Sequence, residues 1–336
     1  MQKYNLFFAY FCIHFSSMKK FILKTIFFLL PIFVLAVIME ISLRAIPNDY
    51  KQKRNYMDSH SDEIEVLVLG SSHSLYGINP KYFSQKTYNM AYVSQSLDLD
   101  YKILEKYQDR FKNLKTIIVD ISYFSLYATL ETGPEQWRAK NYNIYYDIPT
   151  SKATNNFEVL TNKLDINYGR MKSYYTKKIK NDKAFIDSTF IAKMYNGWIS
   201  LKPAKTTDDL EETGVAAAER HTYDITERSK VEIHDEQTNV LGKIVNWSKQ
   251  KNVKVVFVTT PTYKTYYSRI NADQWDNTHK IIEDICRKNS NCQYINLLKN
   301  EGNLFTEKDF SDADHLSETG AEKMSKLINQ FLTSTK

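Results

Sequence analysis

The sequence predicts an α/β fold, in which helices cover both faces of a mainly parallel sheet. Short apolar runs alternate with amphipathic stretches along much of the 336-residue chain. Each run is apolar at consecutive positions rather than at every second one, as in strands that are buried on both faces. Hydrophobic residues make up 43% and charged residues 25% of the chain, which is an ordinary globular composition.

An apolar segment precedes this fold. Three lysines lead into an apolar run at residues 25–43, which a single charged residue, Glu40, interrupts. A run of roughly 19 residues is long enough to cross a bilayer. No small-x-small cleavage site follows, so we predict a transmembrane signal-anchor, with a cleaved signal peptide as the alternative. The positive-inside rule places residues 1–24 in the bacterial cytoplasm and the chain after Pro47 outside the cytoplasmic membrane, which it crosses once.

Met18 is a second candidate for the start of the chain. The stretch 18-MKKFILK-24 is a better opening for a secretory signal than 1-MQKYNLF-7. Residues 1–17 would then lie ahead of the true start. On the other side of the apolar run, residues 44–63 are polar and charged, and we predict that they form a tether between the membrane and the α/β domain.

The α/β domain is predicted to span residues 64–333. Helices are predicted where apolar residues recur every three or four positions, as at Leu97, Tyr101 and Leu104. From about residue 125 to 228 this pattern weakens and tyrosines are dense, so we predict a partly helical insertion, since a structureless loop of that length is uncommon. Its tyrosines either pack the insertion or form a stacking surface for sugar rings. The predicted strands are 66–69, 87–91, 116–119, 254–260 and 293–298, and the predicted helices are 97–111, 235–250, 272–288 and 318–332.

Charge and cysteine patterns bear on two other kinds of site. The net charge is +6, but the 45 basic and 39 acidic residues are interspersed. Nucleic-acid-binding proteins concentrate their basic residues in a patch or stripe, so we predict no nucleic-acid partner. Cys286 and Cys292 flank a polar turn and, outside the cytoplasm, either form a disulfide or remain two thiols. With no histidine beside them, they do not predict a metal site.

Hydroxyl groups cluster directly after the first strand, in 70-GSSHS-74. In parallel α/β sheets ligands bind at the carboxyl ends of the strands, so this cluster is a candidate active site. A serine becomes a nucleophile when a base lies near it and a third group orients that base. The structural alternative is that Ser72 only caps the helix that follows.

A histidine with two aspartates precedes the last helix, in 309-DFSDADHLSETGA-321. Asp312 stands three residues before His315, so its carboxylate can accept a hydrogen bond from the near imidazole nitrogen and leave the far nitrogen to act as a base. Asp314 competes for this orienting role, but the spacing favours Asp312.

Together, 70-GSS-72 and 312-DADHL-316 resemble the first and last blocks of the SGNH (GDSL-type) hydrolase superfamily, whose first block usually reads Gly-Asp-Ser. The resemblance implies a three-layer, flavodoxin-like SGNH-type sheet with Ser72 as nucleophile, His315 as general base and Asp312 orienting His315. With the membrane anchor, the Gly-Ser-Ser variant is similar to envelope acyl-transfer families, those of teichoic acid D-alanylation and alginate O-acetylation. That similarity implies an envelope polysaccharide or another acyl acceptor as partner, and a multi-pass membrane protein as acyl donor. It implies no cofactor and no metal.

The chain departs from the family's second and third blocks. The second block offers a glycine where this sequence reads 89-NMAYVSQS-96, and the third offers Gly-x-Asn-Asp where it reads 120-DISYF-124. The oxyanion hole therefore needs other donors, because loss of one donor typically costs on the order of 100-fold in rate. The candidates are the backbone N–H of Ser72, a backbone amide near Ala91, and the side chains of Asn89, Gln95 and Ser122.

Three further residues are candidates for the substrate groove. His73 directly follows the nucleophile candidate, and Thr262 and Tyr263 follow the fourth predicted strand, whose carboxyl end lies at the same edge of the sheet. A lone histidine, His221, has no partner that the sequence identifies.

Two functions fit these patterns. The first is serine-dependent acyl-ester chemistry on a cell-envelope glycan, as O-acetyl or other O-acyl transfer through an acyl-enzyme on Ser72. Hydrolysis of a carbohydrate or lipid ester is the alternative outcome of the same chemistry. The second is a non-catalytic envelope protein that uses the fold to bind glycan, which the incomplete second and third blocks motivate.

Overall fold

The central sheet has five parallel strands in the order β2-β1-β3-β6-β7. This is the strand order of flavodoxin-like doubly wound sheets, so the predicted fold class is confirmed. A separate antiparallel pair is formed by β4 and β5. The strands are β1 (Val66–Leu69), β2 (Thr87–Asn89), β3 (Thr116–Asp120), β4 (Met194–Tyr195), β5 (Trp198–Ile199), β6 (Lys254–Thr259) and β7 (Cys292–Asn296).

The helices agree with the predicted ones where the apolar spacing was regular. The helix predicted at 272–288 has those bounds, and the helix predicted at 235–250 begins earlier, at Arg228. The helices are α1 (Gln2–Arg44), α2 (Asp49–His60), α3 (Ser72–Gly77), α4 (Leu97–Tyr107), α5 (Lys140–Tyr146), α6 (Glu158–Thr161), α7 (Leu164–Ile179), α8 (Thr207–His221), α9 (Arg228–Gln250), α10 (Lys264–Tyr267), α11 (Ala272–Lys288) and α12 (Glu318–Ser334).

Helices pack against both faces of the sheet, which gives three layers. All four residues of β1 are buried. Leu67 and Leu69 belong to an apolar cluster with residues of α4 and α9, and Val66 and Val68 belong to a second cluster with residues of α12. A strand alternates its side chains between two faces, so burial of every position follows from the covering of both.

A computed structural model describes residues 2–182 and 194–334, with side chains from residue 18 onward. The described residues form two compact units. One consists of the chain up to Pro47 with Thr154–Asp182, and the other holds the sheet. In the first unit, α1 is continuous through the predicted span, and Met18–Arg44 is long and apolar enough to cross a membrane.

The predicted tether at residues 44–63 is wrong for most of its length. Asn48 caps α2 by accepting a hydrogen bond from the Lys51 N–H, and one face of this helix is buried in the unit that holds the sheet. That face carries Tyr50, Lys53 and Met57. The segment looked polar because its buried face includes a lysine, which donates from Nζ to a backbone oxygen at 2.6 Å.

The insertion predicted at about residues 125–228, where a structureless loop of that length is uncommon, is partly helical, as expected. It contains α5, α6, α7, the β4–β5 pair and α8. Its residues 183–193 lie outside the described part of the chain. Thr154–Asp182 belong to the unit that contains α1, whereas α5 and α8 belong to the unit that contains the sheet.

Candidate active site

A sharp turn after β1 positions the hydroxyl cluster. Gly70 has φ +125°, and a Cβ on this residue would lie 2.4 Å from Cβ of Asp120 at the end of β3. The turn therefore requires glycine. Ser71 caps α3, since its side chain accepts a hydrogen bond from the His73 N–H. The alternative role for Ser72 is thus filled by its neighbour, and Ser72 is the first residue of the helix.

The loop before α12 brings a histidine to this serine. His315 Nε2 lies 2.8 Å from Ser72 Oγ. Its Nδ1 lies 2.9 and 3.0 Å from the two carboxylate oxygens of Asp312. The same carboxylate accepts the backbone N–H groups of Asp314 and His315, so a tight turn fixes the aspartate beside the imidazole. The three side chains form the hydrogen-bonded chain that nucleophilic serine chemistry needs.

A cavity of about 440 Å³ opens over these residues. Ser72 and His315 line it, and Asp312 does not. Its wall combines acidic and basic side chains with apolar surface, a composition suited to a small acyl chain attached to a polar group. The charged lining residues are Asp100, Asp120, Glu135, Arg220, Lys230 and Asp314.

The imidazole of His315 is a strong base in this setting. Burial disfavours the charged form and lowers the pKa, but the carboxylates of Asp314 and Asp312 outweigh this effect and raise the pKa to about 9. A base must be neutral to take a proton. The two carboxylates therefore strengthen the base and also reduce its neutral fraction near pH 7.

Asp314 joins the site to the insertion. Its Oδ2 lies 3.5 Å from His73 Nε2 and 3.3 Å from Arg220 Nη2 on α8. Burial raises the pKa of Asp314, but the charge of His315 and the hydrogen bond with His73 outweigh it and hold the pKa well below its usual range. Burial lowers the pKa of His221 to about 3, so this histidine is neutral. The sequence offered no signal for Arg220, because the insertion has no motif there.

Three of the proposed oxyanion donors already have partners. The Asn89 side chain donates to two backbone oxygens in and just after α3, at 2.8 Å each. The Ala91 N–H donates to Asn89 Oδ1 at 3.0 Å. Ser122 Oγ donates to Asp120 Oδ2 and lies 2.8 Å from His73 Nδ1. These groups hold the site together and do not line the cavity, so the sequence-based assignment of Asn89, Ala91 and Ser122 is corrected.

The remaining donor candidates line the cavity. Gln95 does so, but its amide nitrogen donates to Asp100 Oδ1 at 2.6 Å, and its amide oxygen is also bonded. The Ser72 N–H has no hydrogen-bond partner among the described residues. Val93 and Ser94 also line the cavity, and Ser94 has φ 59°. The sequence pointed only to a backbone amide near Ala91 and not to Ser94, because a serine there gives no sign of a left-handed backbone.

The predicted groove residues lie beneath the surface instead. His73, Thr262 and Tyr263 are buried and do not line the cavity. The Tyr263 N–H donates to the backbone oxygen of Ala313 at 2.8 Å. Tyr263 therefore braces the loop that carries Asp312 and His315 rather than contacting substrate, because the chain after β6 turns inward. Thr262 is bonded instead to the backbone oxygen of Leu298, through its N–H and its hydroxyl.

Two buried carboxylates beside the nucleophile were not predicted. Asp100 Oδ1 accepts the Gly70 N–H at 2.9 Å. Asp120 Oδ2 accepts from the hydroxyls of Ser71 at 2.6 Å and Ser122 at 2.8 Å. Burial raises the pKa of Asp100 well above its usual range. The position of Asp120, at the carboxyl end of a buried strand, is the signal that would have identified it.

One cluster of described residues has the ligand types of a metal site. The ligand atoms of His73, Asp314 and His315 lie within 4.8 Å of one another. Both ring nitrogens of His315 already have partners, in Ser72 and Asp312. We assign this cluster to the hydrogen-bond network of the site.

Cys286 and Cys292 form a disulfide in the structure. The bond joins the end of α11 to the start of β7. Neither cysteine lines the cavity. We therefore expect the disulfide to stabilise the fold and to take no part in the chemistry of the site.

Comparison with known proteins finds a family model that matches part of the chain. A family model described as DltD protein matches residues 223–333, a span that includes Asp312 and His315 but not Ser72. No curated protein matches the chain.

Solved structures are similar over most of the chain, at 10% identity each. A protein described as a platelet activating factor from Streptococcus pneumoniae has a TM-score of 0.41, covering 90% of this chain and 97% of that one. A proposed acylhydrolase from Bacteroides fragilis has a TM-score of 0.38, with 86% and 99% covered. A GDSL-like lipase from Bacteroides thetaiotaomicron has a TM-score of 0.39, with 85% and 98% covered. Over residues 223–333 the chain resembles the DltD protein family, and of the two motifs only 312-DADHL-316 lies in that range.

Proposed function

We propose that this chain is a membrane-anchored enzyme that performs serine-dependent acyl-ester chemistry on the bacterial cell envelope. The observation that carries the proposal is the hydrogen-bonded chain from Ser72 Oγ through His315 to Asp312. The apolar helix α1 is the proposed single-pass anchor. The unit that holds the sheet is proposed to lie outside the cytoplasm.

The first half-reaction forms an acyl-enzyme. Ser72 Oγ attacks the carbonyl carbon of an ester, and His315 Nε2 takes the hydroxyl proton. Asp312 holds the proton on Nδ1 and stabilises the imidazolium that forms. The tetrahedral intermediate collapses with cleavage of the bond to the leaving oxygen, which takes the proton back from Nε2. The acyl group is then bonded to Ser72 Oγ.

The second half-reaction releases the acyl group to an acceptor. A hydroxyl oxygen attacks the acyl carbon while His315 Nε2 takes its proton, and the proton then returns to Ser72 Oγ as the ester bond breaks. If the hydroxyl belongs to an envelope glycan, the result is O-acyl transfer, such as O-acetylation. If it belongs to water, the result is ester hydrolysis. A permanent anchor supports transfer to a fixed envelope acceptor. The proposed donor of the acyl group is a multi-pass membrane protein.

The oxyanion of the tetrahedral intermediate needs donors beside Ser72. The Ser72 N–H is the first proposed donor, because it lacks a partner among the described residues and adjoins the nucleophile. The backbone N–H groups of Val93 and Ser94 are proposed to add to it, since both residues line the cavity. Donors that are already in place before the reaction need no reorganisation in the transition state.

A serine probe tests the proposal. The full chain, in detergent, is treated with a fluorophosphonate and separately assayed on an acetyl ester, as wild type and as Ser72→Ala. The matched control is Ser74→Ala, because Ser74 Oγ is buried in the same helix and has no hydrogen-bond partner among the described residues. We expect labelling and turnover in wild type and Ser74→Ala and neither in Ser72→Ala.

Two other outcomes would count against it. Labelling that persists in Ser72→Ala would remove Ser72 as the nucleophile. No labelling of any variant would favour the second candidate, a non-catalytic protein that binds glycan. The commitment of Asn89 and Ser122 to structural hydrogen bonds favours that candidate, since these side chains stand where the family's oxyanion donors were expected. If the enzyme turns over, the ratio of acylated sugar to free acid with a soluble glycan acceptor separates transfer from hydrolysis.

A further inference from the structure

The segment Thr154–Asp182, here called the docked segment, is tied to the last turns of α1. The N–H groups of Glu158 and Val159 donate to the Glu40 carboxylate at 3.1 and 2.9 Å. Arg44 Nη2 donates to a backbone oxygen of the docked segment at 2.6 Å, and Tyr175 Oη donates to the Ser42 backbone oxygen at 3.0 Å. Both belong to the same compact unit.

These bonds explain the one charge that interrupts the apolar run. An acidic side chain in hydrocarbon is costly unless it is paired. Glu40 has three donors, namely two backbone N–H groups at the start of α6 and Nε of Arg44 at 2.5 Å. The docked segment thus satisfies Glu40 at the end of the run, where the helix would leave the hydrocarbon.

The docked segment exposes large apolar side chains. Leu160 on α6 is 60% exposed, and Leu164 and Tyr168, one turn apart on α7, are 68% and 61% exposed. At the end of α7, Ile179 is 84% exposed. In the unit that holds the sheet, by contrast, most large apolar side chains are buried.

Charge on the docked segment complements an anionic surface. Between residues 154 and 182 the sequence has six basic and three acidic residues. One of the acids, Glu158, is buried and pairs with Arg170 at 3.0 Å. Exposed apolar residues, tyrosines and lysines on one short helix are typical of segments that lie in the plane of a membrane interface.

We infer that the docked segment is a second membrane contact, in which α6 and α7 lie on the lipid surface beside the exit of α1. The inference rests on the proposed anchoring by α1. The occupant is lipid rather than a protein partner, because the docked segment is bonded to the end of α1, the helix that is proposed to cross the membrane. Leu160 and Leu164 insert among the acyl chains, and the lysines contact anionic headgroups.

Lipid quenching tests this contact in the full chain. Single cysteines at Leu164, at Leu35 in α1 and at the exposed Val231 of α9 each carry an environment-sensitive fluorophore, in a Cys12→Ser background. The chains are reconstituted in phosphatidylcholine–phosphatidylglycerol vesicles with or without bromine on the acyl chains. We expect brominated lipid to remove more than about half of the fluorescence at Leu35→Cys and Leu164→Cys, and little at Val231→Cys.

The outcomes separate the two proposals. Quenching at Leu35→Cys without quenching at Leu164→Cys would overturn the lipid contact but leave the anchor, and would point to a protein partner on this face. No quenching at Leu35→Cys would overturn the anchor itself. A second variant, Lys172→Gln with Lys178→Gln, tests the charge. It should lower quenching at Leu164→Cys when phosphatidylglycerol is present and change nothing in phosphatidylcholine alone. If this variant and its Leu164→Cys parent are quenched equally in vesicles that contain phosphatidylglycerol, the role of the lysines is overturned.

Discussion

Asp314 Oδ1 lies 3.6 Å from His315 Nδ1, so the imidazole faces this carboxylate as well as that of Asp312. Asp314 is buried, whereas the side chain of Asp312 is 33% exposed. The geometry divides two tasks between them. Asp312 accepts the hydrogen bond that orients the ring, and Asp314 adds a buried negative charge that favours the protonated imidazole.

The first prediction concerns the pH dependence of acylation. His315 is protonated below a pKa of about 9, so the rate of acylation of the free enzyme should rise about tenfold per pH unit below that value. Asp314→Asn removes one of the carboxylates that raise the pKa, so the midpoint of the profile should move to lower pH. The measurement is kcat/KM on an acetyl ester against pH.

The exposed Asp273 provides the control for this experiment. Asp273→Asn removes the same charge from the start of α11, outside the cavity lining, and should leave the midpoint in place. A midpoint that is the same in Asp314→Asn and wild type would contradict the role of Asp314.

The second prediction assigns the orienting role. In Asp312→Asn the amide oxygen can still accept the N–H groups of Asp314 and His315, so the turn should persist. The carboxylate that holds the Nδ1 proton is lost, and in serine proteases the equivalent change lowers kcat by about 10⁴. We expect a loss of about 10³–10⁴ in kcat with little change in melting temperature. A larger loss of kcat in Asp314→Asn than in Asp312→Asn would show that Asp314, and not Asp312, orients the imidazole ring.

The sheet was predictable from the sequence because its strands and helices have distinct apolar periods. Val66–Leu69 is buried at every position, and such a strand reads as a continuous apolar run. Ser72, His315 and Asp312 were found through two short motifs at opposite ends of the domain. The structure brings these three side chains within hydrogen-bond distance.

The rest of the site depends on contacts that no local pattern records. Lys53 is fully buried on α2, although a lysine in a polar stretch favours a solvent-exposed tether. Arg220 and Asp314 meet across 94 residues of sequence. Asn89 and Ser122 looked like free donors, because the sequence does not show which polar side chains already have hydrogen-bond partners within the fold.

The third prediction concerns the disulfide. Cys286→Ser with Cys292→Ser should lower the free energy of unfolding by about 2 kcal/mol, because the closed loop is short and constrains the unfolded chain only modestly. Fluorophosphonate labelling should be unchanged, since neither cysteine lines the cavity. Urea unfolding of the full chain in detergent measures the first quantity. A double variant as stable as wild type would show that the bond contributes nothing to the scaffold, and loss of labelling would connect it to the site.

The fourth prediction concerns the turn that presents the nucleophile. Gly70→Ala places a Cβ 2.4 Å from Cβ of Asp120 at a φ of +125°. Backbone strain and overpacking each cost about 1–3 kcal/mol, and the turn can relieve them only by moving Ser72 or Asp120. We therefore expect lower stability and loss of fluorophosphonate labelling together.

Gly242→Ala is the matched control for that turn. Gly242 lies within α9, and an added Cβ would meet no atom within 4 Å. Alanine in a helix interior is favoured over glycine by about 0.5–1 kcal/mol, so this variant should be slightly more stable than wild type and label normally. If Gly70→Ala also labels at the wild-type rate, the turn tolerates a side chain. The position of Ser72 would then not depend on the close approach of Gly70 to Asp120.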